Sequence, residues 1–242
     1  MNPLLFYEAG KAEVTSLADG LIAYYKLDGN AVDVINGFNG TNGGTGASIT
    51  TYSSGIIGSA KFFQGDANGR NFITIADADA FSFTDGTNDI AFSISFWAKP
   101  SQAISGAWLI QKRDGNTTLN EWQVVYNSGQ FSISLRRGSA SINAAVTANF
   151  DVGVLKMITV TYNGSKLNSG LEIYLDGVLQ TTTKSGTYTG MLNTTSTVVI
   201  GNGFSGFYNG IIDEVAIYKG IVLSQDKVTK LYNSGFGKQY PY

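Results

Sequence analysis

The residues with chemistry to offer are few, and most are acidic. Asp213 and Glu214 stand side by side in the apolar run GIIDEVAIY, and Asp28, Asn30, Asp33, Asn36 and Asn39 crowd the stretch LDGNAVDVINGFNG. Carboxylates can act as general acids, bases or nucleophiles. Oxygen-rich, glycine-containing loops can hold a hard cation such as calcium, which takes roughly six to eight oxygen ligands. The chain has no His and no Cys. Ser-His-Asp and Cys-His catalysis, histidine or thiolate zinc sites and disulfides are thereby excluded.

Glycoside hydrolysis by a retaining mechanism needs two carboxyls roughly 5–5.5 Å apart on one face. Neighbours in a regular strand point to opposite faces, so Asp213 and Glu214 are not expected to form such a pair. Glu214 is expected in solvent, or paired with Lys219 or Lys227. No E-x-D-x-x-E run is present, and Glu172 and Asp176 in EIYLD lie four apart, with Asp176 better used in a turn. An enzyme is not expected.

The elements that must position these residues are strands. Of 242 residues, 43% are hydrophobic and only 14% charged, with 30 Gly and 27 Phe and Tyr (14 and 13). That composition suits short strands joined by tight turns in one globular domain. The period of two in FSISFWAK, with Phe92, Ile94 and Phe96 against Ser93, Ser95 and Trp97, marks a strand with a buried face. Asp176-Gly177 between two alternating runs predicts a two-residue type I′ hairpin. One short helix is predicted near the C-terminus, with Ser224 as N-cap, Val228, Leu231 and Tyr232 on one face, and Asn233 to Gly235 as its stop.

The net charge is −2 and no basic cluster occurs, so nucleic acid is not an expected partner. No apolar run approaches the roughly 20 residues of a membrane-spanning helix, and no insertion into a membrane is expected. The stretch MNPLLFYEAGKAEVTSLADG lacks a positive n-region and a long apolar h-region, so classical secretion is not expected. Residues 1–18 lack strand and turn rhythm and form an extension whose PLLFY patch either docks on another chain or lies along its own domain. Residues 19–236 form the domain and residues 237–242 a tail.

The motifs GLIAYYKLDGNAVDVINGFNGT, GSAKFF, FSISFWAKP, ITVTYNGS, LEIYLDGVL, VVIGNG and YNGIIDEVAIYKGIVLSQDKVTKLY, in this order and spacing, resemble the laminin G-like modules of the concanavalin A-like lectin/glucanase superfamily. The resemblance implies an all-β, two-sheet antiparallel jelly-roll sandwich with one short C-terminal helix. It also implies a binding role towards carbohydrate or protein and, in many such modules, a structural calcium ion. One departure is Leu155, with Lys156 and Met157, where such modules usually carry Trp before the strand ITVTY.

The resemblance puts Asp213 near the first loop, so Asp28, Asn30, Asp33, Asn36 and Asp213 with neighbouring carbonyls form the expected calcium set. The alternative is that Asp28-Gly29 and Asn36-Gly37 are turns and that Asp213 accepts backbone hydrogen bonds. Sugars need aromatic faces and amide, carboxylate or guanidinium groups. Trp108, Arg113, Asp114, Trp122, Tyr126, Phe204, Phe207 and Tyr208 are the main candidates, with Asn116, Arg136 and Arg137 beside them. For each Trp, core filling competes with ligand contact. Two functional readings remain. One is a non-catalytic carbohydrate-binding or adhesion module, on a bacteriophage virion surface or otherwise extracellular, meeting a glycan or host-surface polysaccharide. The other is a structural virion protein that binds other virion proteins through residues 1–18. An accessory lectin of a polysaccharide-use system and a homo-oligomer are both compatible with the sequence.

Overall fold

The computed structural model describes residues 16–45, 51–66, 69–113, 119–201 and 208–242. Among these, the strands in chain order are β1 (Leu21–Tyr25), β2 (Gly40–Thr45), β3 (Tyr52–Ser54), β4 (Ser59–Phe63), β5 (Gly65–Asp66), β6 (Gly69–Ile75), β7 (Phe92–Pro100), β8 (Gly106–Lys112) and β9 (Trp122–Asn127). They continue as β10 (Gln130–Arg137), β11 (Ala140–Thr147), β12 (Lys156–Tyr162), β13 (Leu171–Leu175), β14 (Val178–Leu179), β15 (Thr183–Thr187), β16 (Val198–Gly201) and β17 (Gly210–Lys219). The helix is α1 (Gln225–Tyr232).

Two antiparallel sheets result. The first runs β14-β13-β12-β7-β17-β4-β3, with β1 also on β17, and the second β15-β11-β10-β9-β8-β16-β6-β2, with β5 on β6. This is the expected jelly-roll sandwich. Alternation builds its core, because Phe92, Ile94 and Phe96 from the first sheet meet Val124, Phe131 and Ile133 from the second in one buried cluster. Phe92 is stacked on Phe83 at 4.0 Å between ring centroids and lies 5.7 Å from Tyr162.

The outer face of the first sheet is covered as well. Trp97, opposite in phase to Phe92, stacks on Tyr232 of α1 at 5.6 Å. Tyr24, Met157, Tyr174 and Tyr218 lie beneath α1 and the C-terminal residues. The helix begins and ends as the sequence predicts: the Ser224 hydroxyl accepts a hydrogen bond from the Lys227 N–H, and Asn233 closes it in the left-handed conformation. The hairpin at Asp176-Gly177 is also present, both residues having positive φ (50° and 82°).

The chain ends are more integrated than the sequence suggests. Of the predicted extension, residues 1–15 lie outside the described residues, while Leu17 is buried in the layer beneath α1. The predicted tail is packed: Tyr240 and Tyr242 lie 5.8 Å and 6.1 Å from the Tyr24 ring, and the Tyr242 and Tyr218 hydroxyls are 3.2 Å apart. Among the described residues, no helix is long and apolar enough to cross a membrane.

Truncating Phe92 would leave a cavity among rings that cannot close around it. Phe92→Ala is expected to cost about 3–5 kcal/mol, read as a lower urea midpoint with an unchanged denaturant slope.

Candidate functional site

Asp213 and Glu214 sit in the middle of the first sheet, on β17. Asp213 pairs with Trp97 of β7 but Ala216 pairs with Ser95, so Glu214 and Val215 together face Phe96 in a β-bulge. Glu214 adopts φ 51° there. The extra residue cancels the alternation: Val215 joins the core, and both carboxylates reach the outer layer. The expectation that Asp213 and Glu214 point to opposite faces is therefore corrected, because it assumed an unbroken strand.

The expected exposure of Glu214 is corrected too. It is buried, bonded to the Tyr24 hydroxyl, and accepts from Gln239 Nε2 at 2.6 Å. Lys219 instead donates to the carbonyls of Asp79 and Ser82, and Lys227 to that of Ser16. Asp213 Oδ2 accepts from the Ile56 N–H at 2.8 Å and Oδ1 from the Glu214 N–H at 3.0 Å. Asp28 Oδ1 accepts from the Ser59 N–H at 2.7 Å, and its Oδ2 receives the Gln239 amide at 3.3 Å. Asp28 and Asp213 thus clasp the turn between β3 and β4 from both ends. Gly55 and Gly58 allow that clasp, since a Cβ on either would run into the carboxylate that holds it, and Gly58 also has φ 61°.

The residues expected to hold calcium are divided by this geometry. Asp33 stays within its own loop, where its two oxygens accept four backbone N–H groups, from Tyr24, Ile35, Asn36 and Phe38, at 2.9–3.0 Å. Asn36 donates to the Ile22 carbonyl at 2.9 Å, and Asn30 caps Val32 at 3.0 Å. Asp28 and Asp213 come together, but around the β3–β4 turn and Gln239. Among the described residues, no three acidic, His or Cys side chains converge. Asp33, Asp213 and Asp28 Oδ1 accept backbone N–H groups here, and Asp28 Oδ2 accepts the Gln239 amide.

The outer face of the second sheet offers a different surface. Trp108, Gln123, Val125, Ser132, Ser134 and Asn143 line a groove of about 330 Å³ across β8, β9, β10 and β11. Strand register explains it. From Gln111 on β8, one row of partners passes through Gln123, Ser134 and Asn143 to Ser185 on β15. These are neutral side chains able both to donate and to accept hydrogen bonds. The next row sets Trp108 beside Val125 and Ser132. Gln123 Oε1 accepts from Trp108 Nε1 at 3.4 Å and from Arg113 Nη1 at 3.0 Å, while the Arg113 guanidinium lies 5.9 Å from the centre of the Trp108 ring. Gln111 is fully buried, and neither its Oε1 nor its Nε2 has a partner among the described residues.

Of the predicted ligand residues, Trp108 and Arg113 meet at this groove. Tyr126 borders it, but its ring packs in the core at 4.8 Å from Phe131 and 5.3 Å from Phe150. Trp122 is a core residue whose indole N–H donates to the Phe81 carbonyl at 2.9 Å. Tyr208 is also a core residue, its hydroxyl donating to the Ile211 carbonyl at 2.6 Å. These three are corrected from ligand contacts to packing. Asp114, Phe204 and Phe207 lie outside the described residues. Sequence reasoning missed Gln111, Gln123, Ser132, Ser134 and Asn143. The signal of the last four was the polar phase of EWQVVYN, QFSISL and ASINAAV, which reads equally as an ordinary solvated face.

The fold and this surface define a concanavalin A-like sandwich. A family model for laminin G-like domains of the concanavalin A-like lectin/glucanases superfamily matches residues 68–229, and the chain belongs to that superfamily. No curated protein matches it. Similar solved structures include the binding domain of botulinum neurotoxin serotype C1, with TM-score 0.68 and 18% identity, covering 90% of this chain and 53% of that one. The binding domain of botulinum neurotoxin DC is similar in complex with rat synaptotagmin II (TM-score 0.66, 18% identity) and in complex with SialylT (TM-score 0.66, 17% identity), each match covering 90% of this chain and 52% of the other. The chain spans about half the length of these structures, and at such identities the likeness is one of fold.

Burial is the main influence on the acidic pair. It pushes Asp213 up to about 7, with the Asp28 charge adding to it and the N–H groups of Ile56, Ile57 and Glu214 opposing. It also pushes Glu214 up to about 7, against the Gln239 amide. Both acids hold their protons more tightly folded than unfolded. Their contribution to stability is complete below the unfolded values near 4 and is lost as pH rises through about 7. Stability read from urea midpoints is expected to fall across that window by a few kcal/mol for the pair, and Glu214→Gln is expected to flatten the fall. An equal slope in the variant would show that Glu214 does not titrate in that window.

Proposed function

We propose that this chain is a non-catalytic carbohydrate-binding module whose glycan lies across the outer face of the second sheet. The observation that carries the reading is the row Gln123, Ser134 and Asn143 beside Trp108, at the groove of about 330 Å³. Sugar rings present one apolar face and a rim of hydroxyls. An indole can cover the first, and amides and hydroxyls that both donate and accept can meet the second. Neighbouring strands are roughly 4.8 Å apart, which is close to the length of one pyranose residue. A chain running across the strands therefore meets a fresh polar side chain at nearly every sugar.

Two further findings support the reading. The similar folds are binding domains, one in a complex with SialylT and one described through cell entry that depends on two ganglioside molecules. The carboxylates of Asp28, Asp213 and Glu214 belong to the other sheet and its loops and are engaged by Ile56, Ser59, Tyr24 and Gln239. They serve folding there, away from the groove.

Trp108→Ala is expected to weaken polysaccharide binding about tenfold or more, since stacking and burial of one ring together exceed about 1.4 kcal/mol. The measurement is titration calorimetry on a panel of soluble polysaccharides, with near-ultraviolet circular dichroism to confirm an intact fold. Unchanged affinity in a folded Trp108→Ala protein would move the site away from this groove.

A further inference from the structure

We infer that the groove selects an acidic glycan, one whose sugars carry carboxylate or sulfate, and that Arg136 receives the anion; this rests on the carbohydrate-binding reading above. The first ground is the distribution of charge. The chain has 18 acidic and 16 basic side chains, yet β2, β6, β8, β9, β10, β11, β15 and β16 together contain not one Asp or Glu. Only the two-residue β5, paired with β6 and not with any strand of the groove, adds a carboxylate to this sheet, at Asp66. The strands that form the groove are thus free of acids in a protein whose net charge is negative.

The second ground is register. Arg136 lies two residues beyond Ser134 on β10, and Arg113 two beyond Gln111, just past the end of β8. Both strands run antiparallel to β9 and hence parallel to each other. The two arginines therefore flank the neutral row on the same side, with backbones roughly 10 Å apart by strand spacing. Arg113 faces the groove by its contacts with Gln123 and Trp108. Arg136 forms no ion pair with any described residue, and its Nε is buried without a partner among them.

The third ground is the residue between them. The position on the β9 side that pairs with Arg136 is Glu121, whose carbonyl accepts the Arg136 N–H at 2.7 Å. A Glu there should neutralise the guanidinium. Its carboxylate is instead drawn into the interior, where Oε1 accepts from Lys112 Nζ at 2.6 Å, Ser82 Oγ at 3.1 Å, Thr194 N at 2.8 Å and Thr194 Oγ1 at 2.7 Å. The Glu121 side chain is fully buried, as is that of Lys112. The acid paired with Arg136 is removed from the surface. What remains is a guanidinium with unused donor capacity beside amides that suit hydroxyls, and such a fork matches a carboxylate or sulfate.

The test pairs each acidic polymer with its neutral form: polygalacturonate against its methyl ester, and dextran sulfate against dextran. Each is titrated into the full chain and into Arg136→Gln, whose fold is checked by circular dichroism. Preference of tenfold or more for an acidic member, falling with added salt and lost in Arg136→Gln, is the expected result. The carboxylate and sulfate arms then identify the anion. Arg136→Lys keeps the charge but not the fork and should recover only part of the affinity. Should the neutral and acidic forms bind equally and Arg136→Gln behave as wild type, this inference is overturned while the carbohydrate reading stands. Binding to none of the four polymers would overturn both.

Discussion

The architecture depends on how β17 carries two adjacent carboxylates through a buried sheet. This strand pairs with β1, β4 and β7, so it joins the first strand of the domain to the centre of the sandwich. Burying an acid without partners is costly, and here each is answered by a separate part of the chain. Asp213 takes the turn between β3 and β4, while Glu214 takes Tyr24 of β1 and Gln239 of the C-terminal segment. The bulge at Glu214 makes this possible by turning both side chains to one face. Desolvation that would otherwise oppose folding becomes a specification of which segments must meet over β17.

That arrangement decides which sheet is available for binding. The outer face of the first sheet is occupied by α1, Tyr240 and Tyr242. The second sheet has no such cover over its groove among the described residues, and the groove is lined by Ser, Gln and Asn side chains together with Trp108, Val125 and Ala145. The open groove and the face used for internal packing are thus separated between the two sheets. The family to which the chain belongs accounts for the sandwich, but fold alone does not assign a function. The assignment rests on the side chains of the groove.

Much of the fold was legible from alternation and turn chemistry. FSISFWAK revealed its buried face, Asp176-Gly177 its hairpin and Ser224 its helix start, because each depends on neighbours in sequence. The bulge was not legible: a rule of period two has no place for an inserted residue, and by that rule Asp213 and Glu214 point to opposite faces. Trp108 and Trp122 could not be told apart for a related reason. Both sit in apolar strands, but only the register of β8 on β9, shifted between Trp108 and Ile110, sends one outward and the other to the Phe81 carbonyl. The polar row was visible as letters and invisible as a site, since Ser134 and Asn143 become neighbours only when β10 and β11 pair.

Acids and arginines are put to opposite uses in this molecule. Asp33, Asp89, Glu121 and Asp213 are all buried, and each accepts hydrogen bonds that organise loops or strand ends. Asp89 alone gathers the hydroxyls of Tyr162 and Tyr188 and the Met191 N–H. A carboxylate suits this work, because it accepts several N–H and O–H groups at once and backbone N–H groups are the donors that need partners. A guanidinium can only donate. Left beside a groove whose own acid has been drawn inward by Lys112, Arg136 has its natural partner supplied neither by the backbone nor by the neighbouring strand. The same use of acids that stabilises the sandwich therefore leaves its open sheet face with donors directed at a negative group from outside.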